Sequence, residues 1–503
     1  MKSERMIGKK TSVAFLIGIA AVAYKFTYKE KSYRDNLRTW MEPAVKFRTP
    51  NPFDQSILFK TADEVKEPQE VKSEADTIPK WLTGTLLRDG PGLFEFGDEE
   101  ALHAFDGMAM IRRYHVSQGQ SMNFSRKLLE TDILRDNRRE KRFTKYGIGT
   151  PAKTTPLKRL KSMKGPGADN VVVQSLNLFG HIYAATELPQ VTEYDPISLE
   201  TLGKVDVSDR IPGIRLMTPH PMYEEDGTMW NIAFAQGPDR NGKYTGVWRY
   251  VIFKVTPPKT EEEKRDPWLN LEIVNELGSS RLMSISYLHS FFMTEKYLIF
   301  TEQPWIFGNL PEVLYKHIWQ GKNIGSSMSW DAESTLRFHV LDKSTGVIKT
   351  TKYEGDPMGF YHIFNAYEED GFLILDAPFK SSPISYDVFT VSKLASDADT
   401  LREYMISNGP AAGLAKRWVI PLTVPDTFTP PEEIKLTTDG LIDPNSYHLL
   451  TPLDTTAAGA WHVANDTVYL KPELLAPVDQ YEYHRALEFV AINPKNAGKK
   501  YRY

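Results

Sequence analysis

The chain has 503 residues, is 41% hydrophobic and 25% charged, and carries a formal net charge of −4. That balance suits a large soluble body and argues against nucleic-acid binding, because basic clusters such as KSMKG and RRYH are too short to build a basic face. With no cysteine, disulfides, thiolate metal sites and cysteine nucleophiles are excluded together.

At the N-terminus MKSERMIGKK precedes TSVAFLIGIAAVAY and then KFTYKEK, an apolar run of about 14 residues between basic flanks. A spanning helix needs about 20 apolar residues. A signal-peptide core fits the length, and AVA before Tyr24 reads as a cleavage site. A mitochondrial leader is the other reading, with Glu4 against it. We expect residues 1–45 to be an anchor or targeting segment that brings the protein to a membrane, and residues 46–503 to form the folded body.

Along that body helical periodicity is scarce. The stretch IPKWLTGTLLRDGPGLFEFG (Ile78 to Gly97) ends in a segment, GPGLFEFG, that reads as a turn and is a poor dinucleotide fingerprint. HAFDGMAMIRRY (His103 to Tyr114) follows. Short β-rich runs then recur between turn signals: NVVVQSLNLFG, WRYVIFKVTPP, KYLIFTEQP, GFLILDAPF and DTVYLKPE. LRFHVLDKSTGVIKTTKY predicts a hairpin turning near KSTG. Many short antiparallel strands in a chain too long for one sandwich predict an all-β propeller or a pair of β domains. No exact repeat at the 40 to 50 residue period of familiar propellers marks the blades.

Three histidines lie in comparable strand-rich surroundings about 70 residues apart: His220 in TPHPMYEEDGTMWN, His289 in YLHSFFMTEKYLIFTEQP and His362 in FYHIFNAYEEDGFLILD. One histidine among apolar residues is usually a hydrogen-bonded core residue. Three, each on its own structural unit, predict a metal cage at a central axis, since neutral imidazole suits iron, zinc, copper and nickel. Between them, PWIFGNLPEVLYKHIWQG predicts an amphipathic patch of Trp305, Ile306, Phe307, Leu310, Leu314, Ile318 and Trp319 that dips into a bilayer with Lys316 near the interface; a buried cap helix is the alternative. No GxSxG, HExxH, CxxC or P-loop motif is present.

These segments, taken in order from about Asn51 through NVVVQSLNLFGHIYAATELP and the three histidine stretches to YEYHRALEFVAINPKNAGKKYRY, resemble the carotenoid cleavage oxygenases. The resemblance implies a seven-bladed β-propeller with a cap of loops and short helices over an axial iron site. It implies Fe(II) held by four histidines, of which His220, His289 and His362 are three, supported by Glu187 in YAATELP and Glu488 in LEFVAIN. GLAKRWVIPL carries Leu414 where many members have a third glutamate. The family continues past KYRY to a late histidine; His448, His462 and His484 lie in no matching segment, so we expect the last blade to be incomplete here and the active product to extend beyond Tyr503. The implied activity is O2-dependent cleavage of a carotenoid or apocarotenoid double bond to aldehyde or ketone products, with no protein nucleophile or general base. Retinoid ester isomerohydrolysis on the same fold and a non-catalytic carotenoid-binding isoform are the alternatives. Ferrous iron favours the intracellular side, and the N-terminal segment and a lipid-soluble substrate favour membrane association.

Overall fold

A computed structural model describes residues 55–501 except 72–77, 118–120, 146, 151–154, 163–167, 241–246, 324, 382–388, 397–412, 430–447, 451–456 and 477–491. The segment expected to be an anchor, residues 1–45, therefore lies outside the described residues, as do Glu488 and His484. The described residues are predominantly β, with short helices between sheets.

The sheets follow one another along the chain, and most are antiparallel. The first orders Val65–Val71, Ser121–Leu128, Met108–Ser117 and Gly84–Leu93 side by side. The second is a simple meander of Gln174–Leu178, His181–Ala185, Gln190–Tyr194 and Thr201–Asp206. The third runs from Ile214–Met217 and Met222–Tyr223 through Met229–Gln236 and Trp248–Val255 to Leu271–Gly278. Later come a small sheet of Ile285–Ser286, Trp305–Phe307 and Ser329–Trp330, and one of Asn365–Glu369, Phe372–Phe379, Leu414–Pro421 and Glu473–Leu474.

One sheet departs from this pattern. Phe292–Met293, Tyr297–Glu302, Leu336–Asp342 and Lys352–Gly355 continue into Thr467–Lys471, Gly459–Ala464 and His448–Leu449. The junction is a parallel pair, with Lys352 opposite Thr467 and Gly355 opposite Leu470.

Apolar runs without alternation become strands covered on both faces. In Met229–Gln236 the pleat sends Met229, Ala233 and Ala235 into one core and Trp230, Ile232 and Phe234 into the next. Each large side chain so buried contributes roughly 1.5–3 kcal/mol, and cores on both faces hold this sheet between its neighbours.

GPGLFEFG is not the turn the sequence predicts. Gly84–Leu93 continues as strand through Pro91, with an irregularity between Pro91 and Leu93, and Glu95–Phe96 hairpins onto Glu99–Glu100. Pro91 is tolerated because its strand is an edge, and a Cβ on Gly92 would stand 2.5 Å from that of Met110.

A buried carboxylate organises the region above. Asp106 accepts the backbone N–H groups of Ile148, Gly149 and Thr150, tying the HAFDG segment to the loop that carries Ile148. Ile148 packs in a cluster with Tyr287, Trp305, Phe307, Met328, Trp330, Tyr361 and Phe389.

Candidate metal centre

Each predicted ligand lies where the first strand of a sheet begins or is interrupted. His220 falls between Ile214–Met217 and Met222–Tyr223, both of which pair with Met229–Gln236. Pro219 and Pro221 flank it, and Asn231 holds the loop by donating from Nδ2 to the Thr218 carbonyl at 2.9 Å. His289 sits between Ile285–Ser286 and Phe292–Met293, and His362 just before Asn365–Glu369. The Phe360 amide donates to Gln303 Oε1 at 2.8 Å and Gln303 Nε2 donates back to the Phe360 carbonyl, which fixes the approach to His362.

The three rings converge. Their centroids are 4.6 Å apart for His220 and His289, 4.9 Å for His220 and His362, and 5.0 Å for His289 and His362. One nitrogen from each lies within 4.8 Å of the other two, the metal-capable trio found among the described residues.

Hydrogen bonds set the tautomers. Gln174 turns its amide nitrogen to the Pro219 carbonyl, so its oxygen faces His220 Nδ1 at 2.9 Å and accepts a hydrogen bond from it. His289 Nδ1 shares its proton between Tyr287 Oη at 2.8 Å and Glu187 Oε1 at 3.1 Å, while Tyr287 donates its own hydroxyl proton to Glu187 at 2.9 Å. Burial pushes the Glu187 carboxyl up, but the hydrogen bonds it accepts from His289 and Tyr287 outweigh it and hold it below the ordinary carboxylate range. Burial first, then the neighbouring imidazoles, drives His220 down to about 2, so its ring is neutral.

With Nδ1 protonated on both rings, Nε2 of His220 and Nε2 of His289 present lone pairs to each other at 3.0 Å. Two acceptors so close repel unless a cation takes both. At imidazole–metal bond lengths of about 2.1 Å, nitrogens so spaced subtend about 90° at a common ion. The donor set therefore fits a divalent metal of the type imidazole prefers.

Gln174 and Tyr287 escape sequence reasoning, although each left a signal: Gln174 opens the strand opposite Ala185, near Glu187, and Tyr287 shares a face with His289 two residues on. Leu414 opens its strand opposite Phe379, half-buried. His448 stands opposite His462, which is buried beside Phe428.

The patch predicted over residues 305–319 divides. Trp305 and Ile306 are buried, Trp305 packing against Tyr287 and Tyr361 beside the histidines; Ile318 is buried and Phe307 and Leu314 are half-buried. Leu310 opens the short helix Leu310–Glu312, and its side chain lies outside the described set. Trp319 is 74% exposed, and Lys316 pairs with Glu312. The two halves separate because Trp305–Phe307 is a sheet strand and only the following helical stretch reaches the surface.

Sequence comparison matches the model of the retinal pigment epithelial membrane protein family (RPE65) over residues 58–503. The β,β-carotene 15,15'-dioxygenase of Rattus norvegicus is 30% identical over 437 residues, covering 85% of this chain and 70% of that protein. The mitochondrial carotenoid-cleaving dioxygenase of Mustela putorius furo is 31% identical over 454 residues, covering 89% and 78%. Among solved structures, a point mutant of Synechocystis apocarotenoid oxygenase superposes with a TM-score of 0.61 at 19% identity, covering 91% of this chain and 78% of that one. The cobalt-substituted form of the same oxygenase gives 0.59 at 17% identity, with the same coverage.

Proposed function

The chain belongs to the carotenoid oxygenase family that includes the retinal pigment epithelial membrane protein, and from that membership we infer a dioxygenase that cleaves a carotenoid or apocarotenoid double bond with O2. The observation that carries the site is the convergence of three imidazoles from three sheets, two of them with acceptor nitrogens 3.0 Å apart. We read the ion as Fe(II), held by His220, His289 and His362, with Glu187 and Glu488 supporting the rings. Bound here, ferrous iron supplies the redox capacity for O2 chemistry at the polyene. Gln174, Glu187 and Tyr287 keep the ligating nitrogens aimed inward, and the aromatic cluster of Tyr287, Trp305 and Tyr361 excludes water beside them. No side chain is asked to act as nucleophile or general base.

We read residues 46–503 as the family's seven-bladed propeller, capped by loops and short helices, and residues 1–45 as an anchor or targeting segment. Among the described residues no helix is long and apolar enough to cross a membrane. A surface patch supports membrane association instead. Leu157 and Leu160 of the helix Pro156–Ser162 and Tyr315 and Trp319 of Val313–Trp319 are exposed, and Arg159 joins the two elements by donating to the Ile318 carbonyl at 3.1 Å. A polyene gains roughly 0.8 kcal/mol per CH2 by staying in lipid, so the enzyme collects it there, at an intracellular membrane. Trp319→Glu should lower co-sedimentation with phospholipid vesicles; unchanged binding would remove this surface from the reading.

The deciding experiment is iron-dependent O2 uptake with a carotene and an apocarotenal, with product aldehydes measured. His289→Ala should abolish both. Uptake that survives this substitution would sink the metal assignment, and retinoid ester turnover without O2 consumption would favour the isomerohydrolase reading.

A further inference from the structure

We propose that residues 494–501 form a clasp that sets the direction of His362, acting through the buried side chain of Asn365. The inference rests on the metal reading of the site, and it makes Asn365 and Gly498 positioning residues for that metal.

Asn365 opens the strand Asn365–Glu369, three residues after His362, and is 4% exposed. Its side-chain amide is given over to one short stretch of backbone. Nδ2 donates to the Asn496 carbonyl at 3.1 Å and to the Lys499 carbonyl at 3.0 Å, and Oδ1 accepts the Gly498 N–H at 3.0 Å. Two carbonyls on one side and an N–H on the other leave the amide a single orientation. The segment is fastened again nearby, because Tyr501 donates its hydroxyl to Asp376 Oδ2 at 2.7 Å, and Asp376 lies opposite Asn365 in the next strand. Lys500 pairs with Glu369, and Lys499 Nζ stands 3.6 Å from Glu225, on the hairpin that follows His220. Ion pairs as exposed as that of Lys499 hold little, so the buried amide carries the clasp.

His362 is thereby suspended between two fixed points. Before it, Phe360 is bound to Gln303 through both backbone groups, and Ser290 donates to the Tyr361 carbonyl at 2.5 Å. After it, the Phe364 N–H reaches the Asp376 carbonyl at 2.8 Å, and the clasp holds Asn365. A metal centre needs its donors within about 0.5 Å of their working positions, and anchors this near in the chain impose such a limit. Gly498 lets the turn close. Its φ of +72° is a left-handed conformation that β-branched residues resist, and its N–H is the one that Asn365 accepts. A Cβ there would meet nothing within 4 Å, so a side chain at 498 strains the clasp and leaves the core alone.

The test uses the full chain with Co(II) in place of iron, followed by the visible absorption of the bound ion and by calorimetric melting. Gly498→Val should weaken Co(II) binding about tenfold and shift the absorption bands. Gly498→Asn, which tolerates the left-handed conformation, should restore both. Asn365→Leu, close in size and without the amide, should lose at least as much affinity as Gly498→Val; if it fails to fold, the two Gly498 variants decide alone. Unchanged affinity and bands in folded Gly498→Val protein would overturn the proposal. So would a lowered melting temperature with the wild-type Co(II) affinity and spectrum, which would make the clasp a support for the fold and nothing more. Wild-type protein that takes up no Co(II) would overturn the metal reading and the clasp assignment with it, whereas Co(II) bound equally by wild type and variants would refute the clasp alone.

Discussion

Gln174 decides which nitrogen of His220 faces the centre, because its amide group can satisfy the Pro219 carbonyl in only one orientation. Glu187 does the same for His289 through an ionised carboxylate. Loss of such supporting groups generally costs about 10- to 100-fold in metal affinity. Gln174→Leu and Glu187→Gln should each fall in that range by titration with Fe(II) or Co(II), whereas unchanged affinity would show that the rings are held by packing alone. The three histidines and Glu187, which the structure brings together, stand out in the sequence because their segments resemble a known pattern. Gln174 and Tyr287 were not, since a glutamine in a strand and a tyrosine in an apolar loop have ordinary structural uses and become site residues only when separate sheets meet. Trp305 and Ile306 were misassigned for a related reason: an apolar run looks the same in sequence whether it faces lipid or the centre of the protein.

Among elements, the strand His181–Ala185 shows how a local pair answers to pH. Burial disfavours a charged His181, but its hydrogen bonds to Glu193 at 2.6 Å and to the Lys264 carbonyl at 2.8 Å prevail and raise its pKa above the usual value. A raised value means stabilisation that is complete below about pH 6.5 and fades as pH climbs through the folded-state pKa. His181→Gln should therefore lower the melting temperature near pH 6 and matter progressively less toward pH 9; a constant difference would contradict the protonated pair. Strand identity was largely readable from apolar runs, as with Trp248–Val255 and Phe372–Phe379. KSTG does turn the chain, with Leu341 bridged to Ile348 across it. GPGL failed as a turn signal because glycine and proline also serve edge strands pressed against a neighbour, a distinction that depends on the partner strand.

For the molecule as a whole, the three histidines lie beside strands of separate sheets, so an ion that they hold together would bind the folded arrangement and not the unfolded chain. Iron at a thousand times its dissociation constant should add about 4 kcal/mol of stability, visible as a higher calorimetric melting temperature that a chelator reverses. A melting temperature indifferent to both would mean that the three rings do not share an ion. How the sheets are arranged was not readable from periodicity, because they share no sequence repeat. The pairing of Lys352–Gly355 with Thr467–Lys471 makes the point most directly. Parallel neighbours need a long crossover, and here the crossover contains everything from Asp356 to Asp466, His362 included. On the ribosome the early meanders can close as they emerge, but this sheet must wait until its partner strand has left the exit tunnel. Until then, the third histidine is on a segment whose two ends have not yet been brought together.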